Sequence, residues 1–138
     1  MNTPWEQFAT EKLKKIFTEK YDIIDIGGGL RIDKEKNNRE SATHAWVKEY
    51  LPKVSYKIMD KVADYHPDIV GDIHNIPLED NSVDAIICSA ILEHVEEPQK
   101  AVREMYRVLK PGGYCFIYVS FLYYYQPKKG YYGDFYGF

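Results

Sequence analysis

Three sets of residues in this chain have the types and spacing to grip a nucleotide. Gly27, Gly28 and Gly29 follow directly on an apolar run, YDIIDI, from Tyr21 to Ile26. Glycine lets a backbone turn tightly and pass close to a ligand that a side chain would hold off. Asp60 closes a second short apolar segment, where a carboxylate can accept two hydrogen bonds from the paired hydroxyls of a ribose. Asp72 follows a third segment and supplies a polar group for a base. A ligand built on adenosine makes these three demands. The interval from Gly29 to Asp60 is 31 residues, against the ~20 of the dinucleotide fingerprint; a polar insert around 33–40 accounts for the excess. On these residues alone a nicotinamide dinucleotide is still open, since it needs only the glycine loop and Asp60.

For those residues to converge, the runs before them must be strands ending on one edge of a sheet. The sequence supplies five such runs: Tyr21–Ile26, Ser55–Met59, Asp68–Val70, Val83–Ser89 and Tyr114–Ser120. The fourth is apolar enough to be buried on both faces. A helix is expected over residues 3–20. Thr3 and Glu6 form a capping box, and Pro4 suits the first helical position. Trp5, Phe8, Ala9, Leu13, Ile16 and Phe17 then fall on one core-facing stripe. A second helix is expected from about Ser41 to Leu51, with Ala42, Ala45, Trp46 and Tyr50 on one face and Pro52 ending it. A third opens at Pro98, carries Ala101, Val102, Met105, Val108 and Leu109, and stops at Lys110-Pro111-Gly112-Gly113. This order predicts an α/β fold with a doubly wound, mostly parallel sheet and right-handed crossovers, in a single domain over residues 1–138.

Composition narrows the partners. Eighteen basic residues against 21 acidic ones leave a net charge of −3, which argues against nucleic acid as the business of the surface. Lys12, Lys14, Lys15 and Lys20 cluster, but Glu6, Glu11 and Glu19 intervene, as on a solvated helix face. Cys88 and Cys115 lie in apolar runs and read as small buried side chains, and no Cys/His spacing suggests a metal. No apolar run approaches the ~18 residues of a membrane span, and the N-terminus does not read as a signal peptide. A reducing cytoplasm is the expected setting.

The second half of the chain is more specific. It presents Asp72, Ile76-Pro77-Leu78, Asp80, Ser82, Asp84, Leu92-Glu93-His94-Val95, Pro98 and the run from Arg107 to Gly113. This pattern resembles the class I S-adenosylmethionine-dependent methyltransferases, in the branch called methyltransferase type 11, over about residues 21–125. A dinucleotide-binding protein is not expected to carry LEHV followed by RVLKPGG at this spacing. The resemblance implies a Rossmann-like fold, S-adenosylmethionine as cofactor, and methyl transfer to a small-molecule or sugar-like acceptor. It also implies roles. Asp25 and Gly27–Gly29 would form the loop around the methionine and ribose, and Asp60 would hold the ribose hydroxyls with Lys61 beside the adenine. Asp72 and the backbone of Ile73 would bond the adenine, and Ser89 and Ala90 would line the methionine end. Glu93 and His94 are the candidates for a general base where the acceptor must lose a proton.

Two departures from the pattern stand beside this reading. Leu30 and Arg31 occupy the stretch where the family carries its third glycine. The chain also stops at Phe138, before the further helix and antiparallel strands that close the family's sheet, so the expected fold lacks the last strands. Strand five is then an apolar edge of the kind natural proteins cover: by the aromatic tail 121–138, by a second copy in a homodimer, or by residues beyond a fragment. In related proteins a Tyr-His pair after strand five faces the substrate. Here Tyr125 precedes Gln126, leaving residues 123–125 as apolar pocket wall. An inactive or truncated cofactor-binding module working in a homo- or hetero-complex is the alternative.

Overall fold

The computed structural model describes residues 3–32 and 41–120; the aromatic tail and the readings at residues 123–126 lie outside them. Five strands form one sheet: β1 (Asp22–Ile26), β2 (Ser55–Asp60), β3 (Ile69–Val70), β4 (Val83–Ser89) and β5 (Leu109–Tyr118). Their order is β3-β2-β1-β4-β5, with every neighbouring pair parallel. The order reverses between β1 and β4. In a doubly wound sheet, that reversal opens a crevice at the carboxyl ends of the two strands.

Side chains alternate across each strand, and this divides the core into two layers. Ile24, Ile26, Met59, Ile86 and Cys88 face helix α2 (Pro98–Val108), meeting its Ala101, Met105 and Val108. Ile23, Ala85, Ile87 and Phe116 face helix α1 (Pro4–Glu19), meeting its Ala9, Leu13, Ile16 and Phe17. The capping box of α1 is formed in both directions. Thr3 N–H donates to Glu6 Oε2 at 2.7 Å, and Glu6 N–H donates to Thr3 Oγ1 at 3.2 Å.

Several expectations need correction. Trp5 and Phe8 are 43% and 51% exposed. The first turns of α1 meet β5, which is the edge of the described sheet, so Trp5 stacks on Tyr118 with ring centroids 4.6 Å apart instead of entering the core. Val102 is 42% exposed, because the buried stripe of α2 runs through Ala101, Met105 and Val108. Cys115 is exposed on the α2 side of β5. The expected α-helix over 41–51 is instead wound as 3-10 turns, Ala42–Glu49 and Leu51–Lys53, with a non-helical break at His44. At three residues per turn, His44, Val47 and Tyr50 line up. Val47 is therefore the buried residue, while Ala42 and Ala45 are exposed. Strand five begins at Leu109, not Tyr114. Val83 pairs with Leu109 and Ala85 with Tyr114, so Lys110–Gly113 are looped out of the ladder.

Two polar clusters brace the frame. The Arg107 guanidinium donates to the carbonyls of Ile76 and Leu78, to Asp80 and to both oxygens of Glu104. It thereby fastens the loop after β3 to α2. At the amino ends of β1, β4 and β5, Asp84 accepts from Asp22 N–H and from Lys110 Nζ.

Candidate active site

The glycine loop leaves β1 at the carboxyl edge. Gly27 and Gly28 adopt φ of +72° and +60°, the left-handed region that glycine enters without strain. Gly27 N–H still donates to Met59 O of β2 at 2.7 Å, so the loop starts in register with the sheet. The loop is also tightly enclosed. A Cβ at Gly27 would lie 2.3 Å from Ile91 Cδ1, and one at Gly29 would lie 2.6 Å from Ser89 O. Arg31, in the stretch where the family has its third glycine, takes φ +53°. A non-glycine residue is strained there, yet the turn is made, and Leu30 and Ile32 on either side are buried.

Asp25 supports this loop from below. Its side chain is 0% exposed and points into the α1 layer. Oδ1 accepts from Gly29 N–H at 3.1 Å, while Oδ2 accepts from Leu30 N–H at 3.2 Å and from the Tyr56 hydroxyl. Burial pushes its pKa up to about 7, against the pull of these bonds, of which the Tyr56 bond is the largest. Asp25 thus grips the loop from inside the protein, and its carboxylate is turned away from any ligand.

Asp60 ends β2, with Oδ1 accepting from Val62 N–H at 2.9 Å. Half-burial raises its pKa, opposed by the amides of Val62 and Lys61. Asp72 follows β3. Lys61 Nζ lies 3.5 Å from Asp72 Oδ2, and Asp72 Oδ1 accepts from both His74 N–H at 2.8 Å and His74 Nδ1 at 2.6 Å. The other ring nitrogen, Nε2, accepts from Glu97 N–H at 3.1 Å, so the ring proton sits on Nδ1. Burial raises the Asp72 pKa, but the His74 bonds and the charge of Lys61 outweigh it and hold the group below the usual carboxylate range. The Ile73 side chain is buried in the α2 layer.

The end of β4 forms the other wall. Ser89 abuts Gly29, and Ala90 takes φ +56° while its N–H donates to Tyr118 O at 2.9 Å. Leu92–His94 then make a 3-10 turn. Glu93 is 6% exposed, and its Oε2 is buried without a hydrogen-bond partner among the described residues. Glycine loop, Asp60, Asp72 and the β4 terminus therefore share one edge of the sheet, at its topological reversal.

Residues 24–117 match the family model for the methyltransferase domain. The chain belongs to that family. That family is the class I S-adenosylmethionine-dependent methyltransferases, in the type 11 branch. The ubiquinone/menaquinone biosynthesis C-methyltransferase UbiE of Ruegeria sp. (strain TM1040) is 44% identical over 100 residues, covering 66% of this chain and 39% of the relative. A candidate S-adenosyl-L-methionine-dependent methyltransferase from Methanococcus maripaludis superposes with a TM-score of 0.51 at 26% identity, over 83% of this chain and 55% of that one. The CMeT domain of the citrinin polyketide synthase superposes at 0.59 over 82% of this chain and 34% of its own, at 16% identity, which speaks for the fold alone. The chain spans from 13% to 39% of the length of eight curated relatives that it matches.

The residues of this chain fit the family's cofactor, S-adenosylmethionine. The loop that would face it carries no side chain at three successive positions, and its walls leave no room for one at Gly27 or Gly29. At the tip of β2, Asp60 would accept from the paired hydroxyls of a ribose. Tyr56 and His74 were not among the sequence candidates. Tyr56 reads as an ordinary strand residue, and only its place on the same sheet face as Asp25 reveals its role. For His74, the two-residue spacing from Asp72 was the available signal. No helix among the described residues is long and apolar enough to cross a membrane.

Proposed function

We propose that this chain binds S-adenosylmethionine along the carboxyl edge of its sheet and transfers the methyl group to a small-molecule acceptor. The convergence at one edge of a side-chain-free loop, an acid at the tip of β2 and an acid after β3 carries this reading. In it, Gly27–Gly29 face the methionine and ribose, anchored from beneath by Asp25. Asp60 accepts from the ribose hydroxyls. Lys61, Asp72 and the Ile73 backbone surround the adenine, and Ser89 and Ala90 bound the methionine end. The cofactor supplies a methyl group already activated on sulfur. The protein's task is to align acceptor and donor and exclude water, which can lower the barrier by ~7–11 kcal/mol.

Glu93 is the strongest candidate for taking a proton from the acceptor. A buried carboxylate oxygen with no hydrogen-bond partner among the described residues is costly to keep, and it lies just past the strand that borders the methionine end. His94 is next to it on the same turn. The names of the quinone-biosynthesis relatives support a small organic acceptor and do not favour a catalytically silent module. Calorimetric titration with S-adenosylmethionine tests the reading, and saturable binding is expected. No heat at millimolar cofactor overturns it, and binding without transfer to any member of an acceptor panel restores the silent-module alternative.

A further inference from the structure

The geometry points to Tyr56 as a positioning residue of the cofactor site: its hydroxyl fixes the Asp25 carboxylate, which in turn holds the Gly27–Leu30 loop in its receiving shape. The inference rests on the proposed assignment of that loop to the cofactor.

Three donors converge on one fully buried carboxylate. Two are loop amides, Gly29 and Leu30, and the third is the Tyr56 hydroxyl, delivered from β2. The amides alone would let loop and carboxylate turn together. Tyr56 belongs to the sheet, where it pairs with Ile23, and its ring packs on Phe17 of α1 at 5.9 Å between centroids. It therefore fixes the carboxylate against a rigid reference. The loop needs such a reference, because it contains left-handed Gly27 and Gly28 and ends on the strained Arg31. Strained backbone persists only where its surroundings over-determine it.

The arrangement also depends on charge. An ionised carboxylate only accepts, whereas a protonated one brings its own hydrogen, so the Tyr56 hydroxyl must turn to accept it or one donor is displaced. Burial places the Asp25 midpoint at about 7, and the Tyr56 bond is the largest influence pulling it down. Tyr56 thereby sets how much of the protein holds the loop at neutral pH. The groups facing this acid are few. From the loop come the Gly29 and Leu30 amides, with Arg31 exposed just beyond. From β2 comes Tyr56; the Cys88 thiol of β4 is buried on the opposite face of the sheet, its ionisation disfavoured first by burial and then by neighbouring charges that include Asp25. From the 3-10 turns comes His44, with Nδ1 3.2 Å from Leu30 O.

Tyr56→Phe keeps the ring on Phe17 and removes only the hydroxyl. Two measurements read its effect: the Asp25 carboxyl titration by carbon NMR in ligand-free protein, and S-adenosylmethionine affinity by calorimetry from pH 6 to 9. The Asp25 midpoint is expected to rise in the variant. Affinity should fall at every pH from 6 to 9, because the carboxylate has lost its tie to β2, and it should fall furthest at pH 7, where the raised midpoint adds to the loss. Replacing Tyr56 by 3-fluorotyrosine, a stronger donor of the same shape, should move the midpoint the other way, and it serves if the Phe variant does not fold. An unchanged Asp25 midpoint, or a cofactor affinity equal to that of the unsubstituted protein, overturns the inference. If the unsubstituted protein binds no cofactor while the Asp25 midpoint still responds to both substitutions, the cofactor reading has failed and the Tyr56–Asp25 link has not.

Discussion

Gly29→Ala should damage both the fold and the cofactor site, and Gly112→Ala provides the contrast that says why. The added Cβ at position 29 would sit 2.6 Å from Ser89 O and 2.8 Å from Ser89 Cβ. Ser89 cannot retreat, because it pairs with Tyr118 and the next amide, Ala90 N–H, donates to Tyr118 O. Restoring an ordinary 3.4 Å contact requires the loop to move by about 0.8 Å, away from β4 and against the Asp25 bond to Gly29 N–H. Overpacking of this kind costs ~1–3 kcal/mol. A misplacement approaching 1 Å near the reacting groups can cost up to ~100-fold in rate; we expect cofactor affinity to drop at least about tenfold. Gly112 has φ +79° with nothing within 4 Å of its would-be Cβ. There alanine meets only the left-handed penalty, ~1–2 kcal/mol, partly offset by ~0.4–1 kcal/mol from a stiffer unfolded chain, and affinity should not change. Urea unfolding and calorimetric titration of both variants decide the matter. If Gly29→Ala is no less stable than Gly112→Ala and binds cofactor normally, the close contact between loop and β4 does not shape the site.

Asp25 titrates near 7 in the folded protein against 3.8 for a free carboxyl, so folding takes up a proton. The associated stability is present below about pH 4 and is lost as the pH rises through 7. At ~1.36 kcal/mol per unit this amounts to roughly 4 kcal/mol. Asp25→Asn should flatten the fall in denaturant stability between pH 4 and 8, and equal slopes for both proteins would count against the burial argument. Asp60→Ala should weaken S-adenosylmethionine binding by about 1–3 kcal/mol through lost charge-assisted hydrogen bonds; an unaltered dissociation constant means that Asp60 is not the ribose ligand. Glu93→Leu removes a buried oxygen without a partner and should stabilise the fold by ~1–3 kcal/mol while lowering methyl transfer. A variant that is more stable and fully active assigns Glu93 no part in the reaction.

The parallel sheet and its carboxyl-edge acids were legible because the signals are local. Apolar runs of strand length end directly on glycine or aspartate. Periodicity served less well where the partner surface mattered. Trp5, Phe8 and Val102 share helical faces with truly buried residues, but a stripe does not say where the neighbouring sheet ends. The 41–51 segment has helical composition, yet the tie from His44 to Leu30 O and Pro52 close it into tighter turns. This moves burial from Ala42 and Ala45 to Val47. Tyr56 was invisible for a different reason. Its partner lies 31 residues away, and the pairing exists only once β1 and β2 are in register. His74 offered only its spacing from Asp72, since the other of its two ring bonds depends on where the start of α2 comes to rest.

The hydrogen bonds through His74 all point one way. Glu97 N–H donates into the ring, and the ring donates into Asp72. Bonds aligned head to tail polarise one another, so the electropositive start of α2 is felt by Asp72 through the imidazole. Asp72 is thus an acid that keeps its charge under acidification, while Asp25, at the other end of the same edge, does not. The two ends of the crevice have different acid tolerances. On the proposed occupancy, a drop in pH loosens the methionine and ribose first, since the Asp60 pKa is raised as well, and leaves the adenine as the last point of attachment.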